Sequence, residues 1–147
     1  MPGKKFKFGL DKVLKLRHYQ TEEARHALVA AVTERERQEA LLEEAQRKLH
    51  EVLTSSPMGV AVDPRSLKQH DSYRRDAQRA CIEARRVLNA KEKQEQEARS
   101  QLVDRRREEE ALLHLHDQQK LEHTRIMEAA DLAFIDESAI TGFLRKG

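Results

Sequence analysis

Pro57 and Pro64, with Gly59 between them, set the strongest limit on how this chain can fold. Each proline removes a backbone donor and clashes with the preceding turn, at about 3 kcal/mol in a helix interior, so no one helix runs through both. The stretch Thr54 to Ser66 is therefore a break. On either side the apolar residues recur with helical spacing, which leaves two arms of unequal length.

Composition decides what kind of arms these are. Of 147 residues, 37% are charged and only 4% aromatic, with no Trp and a mean hydropathy of -0.84, too few large apolar side chains for a globular core of ordinary thickness. Such a chain forms long helices or coiled coils, or stays disordered. The periodicity selects helices. From Leu10 to Val52 a 4-3 spacing picks out mostly Leu, Ala and Val, the narrow a/d seam of a coiled coil. Thr21, Arg35 and Gln38 interrupt it, so pairing is expected to be weakest there.

After the break, Asp63 is a good N-cap and Pro64 a good first-turn residue. A second seam runs through Leu67, Ala77, Cys81, Ala84, Leu88, Ala98, Leu102, Leu112 and Ile126, with Lys91, Glu95, Arg105 and Glu109 as charged members. The predicted fold class is all-α: a long antiparallel two-helix coiled-coil hairpin with a longer second helix. Its segments are a basic lead-in over 1–9, a first helix over 10–54, a turn over 55–65, a second helix over 66–134 and a tail over 135–147, as readily frayed as ordered. Folding about the centre of the break sets Val52 near Leu67, Leu42 near Ala77, Gln38 near Cys81, Ala31 near Leu88 and Leu10 near Glu109. The second arm then has no partner beyond about His116. An unpaired apolar stripe of this kind marks an interaction surface, and Leu121, Ile126 and Met127 are its candidate contacts.

Sites for chemistry are hard to find. His114 and His116 point to different faces of a helix, and His116 and His123 are too far apart to share a metal without help from another chain. Cys81 lies on the seam, as a buried structural thiol would, and a lone cysteine fits a reducing compartment. There is no phosphate-binding glycine loop and no nucleophile elbow. Carboxylates cluster only on solvated helix faces, without the concave, dry setting that shifts a pKa. We expect no catalysis, no cofactor and no metal. Net charge is +2 with acids and bases interleaved, which argues against nucleic acid. One exception is local: up to Arg17 the bases Lys4, Lys5, Lys7, Lys12, Lys15 and Arg17 face only Asp11. No stretch approaches the roughly 20 apolar residues that span a bilayer, and no apolar run follows the basic start, so a soluble cytoplasmic protein is expected.

The opening string KFKFGLDKVLKLRHYQTEEARHAL carries more information than any of these. Its pattern Phe-x-Phe-x-Leu-x-x-Val-Leu-x-Leu-Arg, followed by Glu and Ala, falls on Phe6, Phe8, Leu10, Val13, Leu14, Leu16, Arg17, Glu23 and Ala24. It closely resembles the start of the FliJ family, coiled-coil proteins of the flagellar type III export apparatus. Met58 and Gly59 in the turn, Leu67 and Tyr73 after it, and Ile135-Asp136-Glu137 also look like that family, whereas SAITGFLRKG beyond them departs from it.

The resemblance implies an antiparallel coiled coil similar to the central stalk of rotary ATPases. It would insert the end carrying both termini into a hexameric export ATPase, promote ring assembly, and contact the membrane-embedded export gate and export chaperones. Phe6, Phe8, Leu10, Val13, Leu14, Leu16 and Arg17 are then the expected ATPase contacts, and Tyr73 a candidate for the gate or for capping the loop end of the hairpin. The protein would be a monomer on its own, held peripherally at the cytoplasmic face of the inner membrane by the apparatus without inserting into it. The rival expectation is a homodimeric coiled-coil scaffold or nucleic-acid-associated protein, in which the arms pair between chains.

Overall fold

The computed structural model describes residues 4–55 and 63–146. It contains two long helices, α1 (Asp11–Thr54) and α2 (Pro64–Lys146), of 44 and 83 residues, joined as a helical hairpin. Most of the break, with Pro57, Met58 and Gly59, lies outside the described residues. Its exit is described and matches the capping expected from sequence. The Asp63 carboxylate accepts from the Arg65 backbone N–H at 3.4 Å, and the Leu67 N–H closes the first helical turn onto Asp63 O at 3.2 Å. Pro64 stands at the first helical position, where its missing N–H costs nothing.

Where the sequence ends the second helix at Phe134, α2 runs on to Lys146. No proline stops it, and the Thr141 hydroxyl donates back to Glu137 O at 2.9 Å within the helix.

The chain divides into two compact units, Glu23–Val103 and Met1–Glu22 with Asp104–Gly147. In the first, the buried apolar side chains are Ala24, Leu42, Leu88 and Leu102, with Leu88 only 5% exposed. Small residues on the same seam, among them Ala31, Ala45, Ala77, Cys81 and Ala84, are half-buried and let the backbones approach.

The polar interruptions of the seam are not gaps. Gln38 and Glu95 are buried. Arg35 pairs with Glu95 across the helices and with Glu39 at 2.6 Å along its own. Arg99 completes the group, its guanidinium 2.8 Å from the Glu95 carboxylate. Among the described residues no buried side-chain nitrogen or oxygen lacks a hydrogen-bond partner. At Thr21 and Arg35 the expected weak points are thus satisfied polar contacts.

These contacts also correct the register. In both units most α2 partners lie about a heptad further along than folding about the centre of the break places them. Thr21 meets the backbone of Arg105 and not Ala98, and Arg17 meets Glu108 and not Leu102, while the long Arg35 side chain reaches a turn further, to Glu95, three turns beyond Ala84. Closer to the break the offset is about a turn, with the His70 ring donating to Val52 O at 3.0 Å. A heptad slide keeps the a/d positions facing one another, so the apolar pattern cannot choose between the two registers. Polar seam residues can. The register expected from the break would set Arg35 against Ala84 and Glu95 against Ala24, leaving two lone charges on the seam.

Two measurements check this packing. Leu88→Ala should lower unfolding free energy by about 2–3 kcal/mol, whereas Leu121→Ala, at an exposed position, should stay within about 0.5 kcal/mol of wild type. Glu95 also ties stability to pH. Its carboxyl is held below the ordinary glutamate value by the hydrogen bond from Arg99 and then by Arg35, against the opposing effect of burial. A carboxyl whose value is depressed in the folded state adds stability that is complete above its unfolded value, about 4.3. That stability is lost as pH falls through the lower folded value. Thermal midpoints should drop through that acid window, and the Glu95→Gln variant should start lower at neutral pH and show a shallower drop.

Candidate functional site

The lead-in is an extended segment laid along α2. Gly9 and Leu10 form a turn closed by the Asp11 N–H donating to Phe8 O at 3.1 Å, after which α1 begins. Along an extended chain alternate side chains face opposite ways, so the sequence Lys5-Phe6-Lys7-Phe8 sorts itself. Phe8 is buried, 8% exposed, and Phe6 is half-buried, while Lys4, Lys5 and Lys7 are exposed.

The aromatic rings sit against two histidines two turns apart on α2. Phe6 meets His116 edge-on at 5.4 Å between centroids and His123 at 5.6 Å. Phe8 meets His116 at 5.2 Å with the ring planes at 89°. Such edge-to-face contacts are worth about 0.5–1.5 kcal/mol each beyond the area they bury. The His123 ring N–H then donates to Lys4 O at 2.8 Å, and His116 Nδ1 lies 3.1 Å from Asp117. His116 and His123 clasp the lead-in. Among the described residues no group of histidine, cysteine and carboxylate side chains is arranged to hold a metal ion.

The first turns of α1 are fixed to α2 by polar contacts. Arg17 reaches Glu108 at 2.8 Å and Gln20 at 3.1 Å. His18 Nδ1 lies 2.7 Å from Glu109, and the Thr21 hydroxyl, 2% exposed, shares its hydrogen between Arg17 O at 3.0 Å and Arg105 O at 3.3 Å.

The predicted contact residues therefore divide. Phe6, Phe8, Leu14 and Arg17 are wholly or partly covered by the fold, whereas Leu10, Val13 and Leu16 are exposed. An open groove beside them is lined by Leu14, Lys15, His18, Tyr19, Glu22, Glu109 and Leu113.

Because Lys4 pairs with His123, the part of α2 with no partner among the described residues starts beyond His123 and not at about His116. Leu121 and Ile126 are exposed, as a contact stripe requires, but Met127 is half-buried. The apolar side chains further on are more open: Leu132, Phe134, Ile135, Ile140, Phe143 and Leu144 are all exposed, Phe143 by 79%. Acids accompany them. Glu128, Asp131, Asp136 and Glu137 fall between Arg125 and Arg145 with no base among them.

In the other unit Tyr73 is 61% exposed at the edge of an open groove of about 570 Å³. Leu41, Ala45, Val52, Ala77, Ala80 and Ala84 supply its apolar lining, and Glu44, Lys48, Glu51 and Asp76 its polar part. Alanines opposite a tyrosine leave a shallow apolar recess with one large anchor beside it. Sequence flagged the anchor, but not the recess, which exists only once α1 and α2 are in register.

No described helix is long and apolar enough to cross a membrane. Compared with known proteins, residues 6–147 match the family model described as flagellar FliJ protein. No curated protein and no solved structure matched.

The clasp is open to test. Phe8→Ala should free the lead-in, so that trypsin cuts after Lys5 and Lys7 at least about tenfold faster. The far-ultraviolet circular dichroism should be nearly unchanged, because the lead-in contributes no helix. His116→Ala with His123→Ala should give the same acceleration.

Proposed function

The chain belongs to the FliJ family, and from that premise we propose that it is the non-enzymatic central stalk and adaptor of the flagellar type III export ATPase. In this role it promotes assembly of the hexameric ring and links it to the export gate and to export chaperones. It works as a monomer in the cytoplasm, held at the inner membrane only through the apparatus, with no nucleic acid and no cofactor.

The observation that carries this role is the outrun of α2. A helix that presents Leu132, Phe134, Ile135, Ile140, Phe143 and Leu144 to water, with no described residue packed over them, is suited to an apolar sleeve. A ring of subunits around a helix supplies such a sleeve on all sides, and apolar side chains on more than one face of the helix fit it better than a flat partner would. Leu10, Val13 and Leu16 are the members of the opening motif exposed to join the same contact. Phe6, Phe8, Leu14 and Arg17 serve it from behind, by fixing the lead-in and α1 against α2. Tyr73 and the alanine-lined recess are the surface assigned to the gate, with the tyrosine as a rigid anchor of the kind that dominates binding energy.

The test is reconstitution with the export ATPase. Wild type should copurify with it and raise its turnover. Leu132→Ser with Phe143→Ser should remove most of that stimulation, a loss of about tenfold or more in affinity, while leaving helicity intact. Tyr73→Ala should leave stimulation unchanged and weaken binding to the gate's cytoplasmic part. No stimulation by a helical, monodisperse wild-type sample would overturn the stalk role.

A further inference from the structure

Four bases, Lys4, Lys5, Lys7 and Lys12, crowd into one short stretch whose one acid is Asp11. Lys15 is tied to Asp11 at 3.2 Å and Arg17 to Glu108, but Lys4, Lys5, Lys7 and Lys12 have no ion pair among the described residues. All four are exposed. Three of them lie on the clasped lead-in, whose intervening phenylalanines are held against α2 by His116 and His123. The clasp thus turns an otherwise loose segment into a rigid support. Its alternation sends the aromatic rings inward and leaves the ammonium groups in water.

From this juxtaposition we infer that the partner-facing groups of the opening motif are its lysines, and that the clasped lead-in together with the first turn of α1 is a docking surface for an acidic patch on a protein. Fixing the backbone first is what gives the lysines value: cations already held in place lose less freedom on binding than the same cations on a loose tail.

An acidic protein patch fits better than a lipid surface or a nucleic acid. Beyond the lead-in, past the ion pair of Glu122 with Arg125, α2 carries Glu128 and Asp131. Bilayers and nucleic acids present continuous negative charge and would meet these acids as well as the lysines. A protein can place its own acids opposite the lysines and stop there. The acids of α2 beyond Arg125 then call for basic or apolar partner groups in the next band, so the expected partner surface changes sign along its length.

The choice of the export ATPase as partner rests on the stalk role; the lysine surface does not. The test therefore uses two probes on the full chain, poly-L-glutamate and the ATPase, each titrated against salt. Lys5→Gln, Lys7→Gln and Lys12→Gln combined should keep wild-type circular dichroism and wild-type resistance to chymotryptic cleavage after Phe6. The same variant should lose about tenfold in affinity for both probes at low salt and show a weaker salt dependence. The corresponding Lys→Arg triple should stay within about twofold of wild type. Phe8→Ala, which retains every lysine, should lose that resistance and, with it, several-fold in affinity for the ATPase.

Unchanged binding by the Gln triple, or tighter binding of wild type to phosphatidylglycerol vesicles or duplex DNA than to polyglutamate, would overturn the inference. An ATPase that ignores the wild type would overturn the stalk role instead, and the polyglutamate comparison would still judge the lysines.

Discussion

The ion pair between Arg35 and Glu95 decides how the two helices meet. A coiled-coil seam built from Leu and Ala is nearly indifferent to a slide of one heptad, because each apolar layer finds another like it. Two charges on the seam are not indifferent. Set apart, each would face alanine; set together, with Glu39 and Arg99 around them, both are satisfied. A buried pair adds little net stability compared with apolar side chains, but breaking it is costly, and that asymmetry lets it choose among otherwise similar arrangements. The other unit has cross-helix contacts of its own, Arg17 with Glu108 and Lys4 with His123.

That choice also explains what could be read from sequence and what could not. The helices, the break between them, the Asp63 cap and the excess length of α2 follow from local chemistry: proline geometry, a capping carboxylate and a sustained 4-3 spacing. Register does not, since it is a relation between two segments, and the centre of a break is a poor guide to where distant side chains find partners. Thr21, Arg35 and Gln38 read as weak points because each is polar on an apolar seam. Arg105 and Glu95, which meet Thr21 and Arg35, look like charged interruptions of a second seam for the same reason, and only the pairing of the two helices joins them.

The candidate site was legible to a similar extent. The motif from Phe6 to Arg17 marks a segment that the structure packs against α2, and family membership gives it a flagellar setting. The roles of individual residues were not legible. Phenylalanines in a basic lead-in resemble contact anchors until the extended backbone and the two histidines of α2 are in view. Then the rings are interior groups and the lysines are the outer face. His116 and His123 are the wall against which the motif packs. Conversely, the acidic, apolar end of α2 is read directly from sequence, since no other described segment covers it.

The account stands on one chain folding back on itself in the shifted register. Its most direct test is disulfide trapping in a Cys81→Ser background at low protein concentration. His18→Cys with Glu109→Cys should cross-link rapidly within a monomer, because these side chains already touch, and His18→Cys with Gln101→Cys should cross-link slowly. Faster trapping of the second pair would contradict the register, and disulfide-linked dimers from the first pair would contradict the hairpin itself.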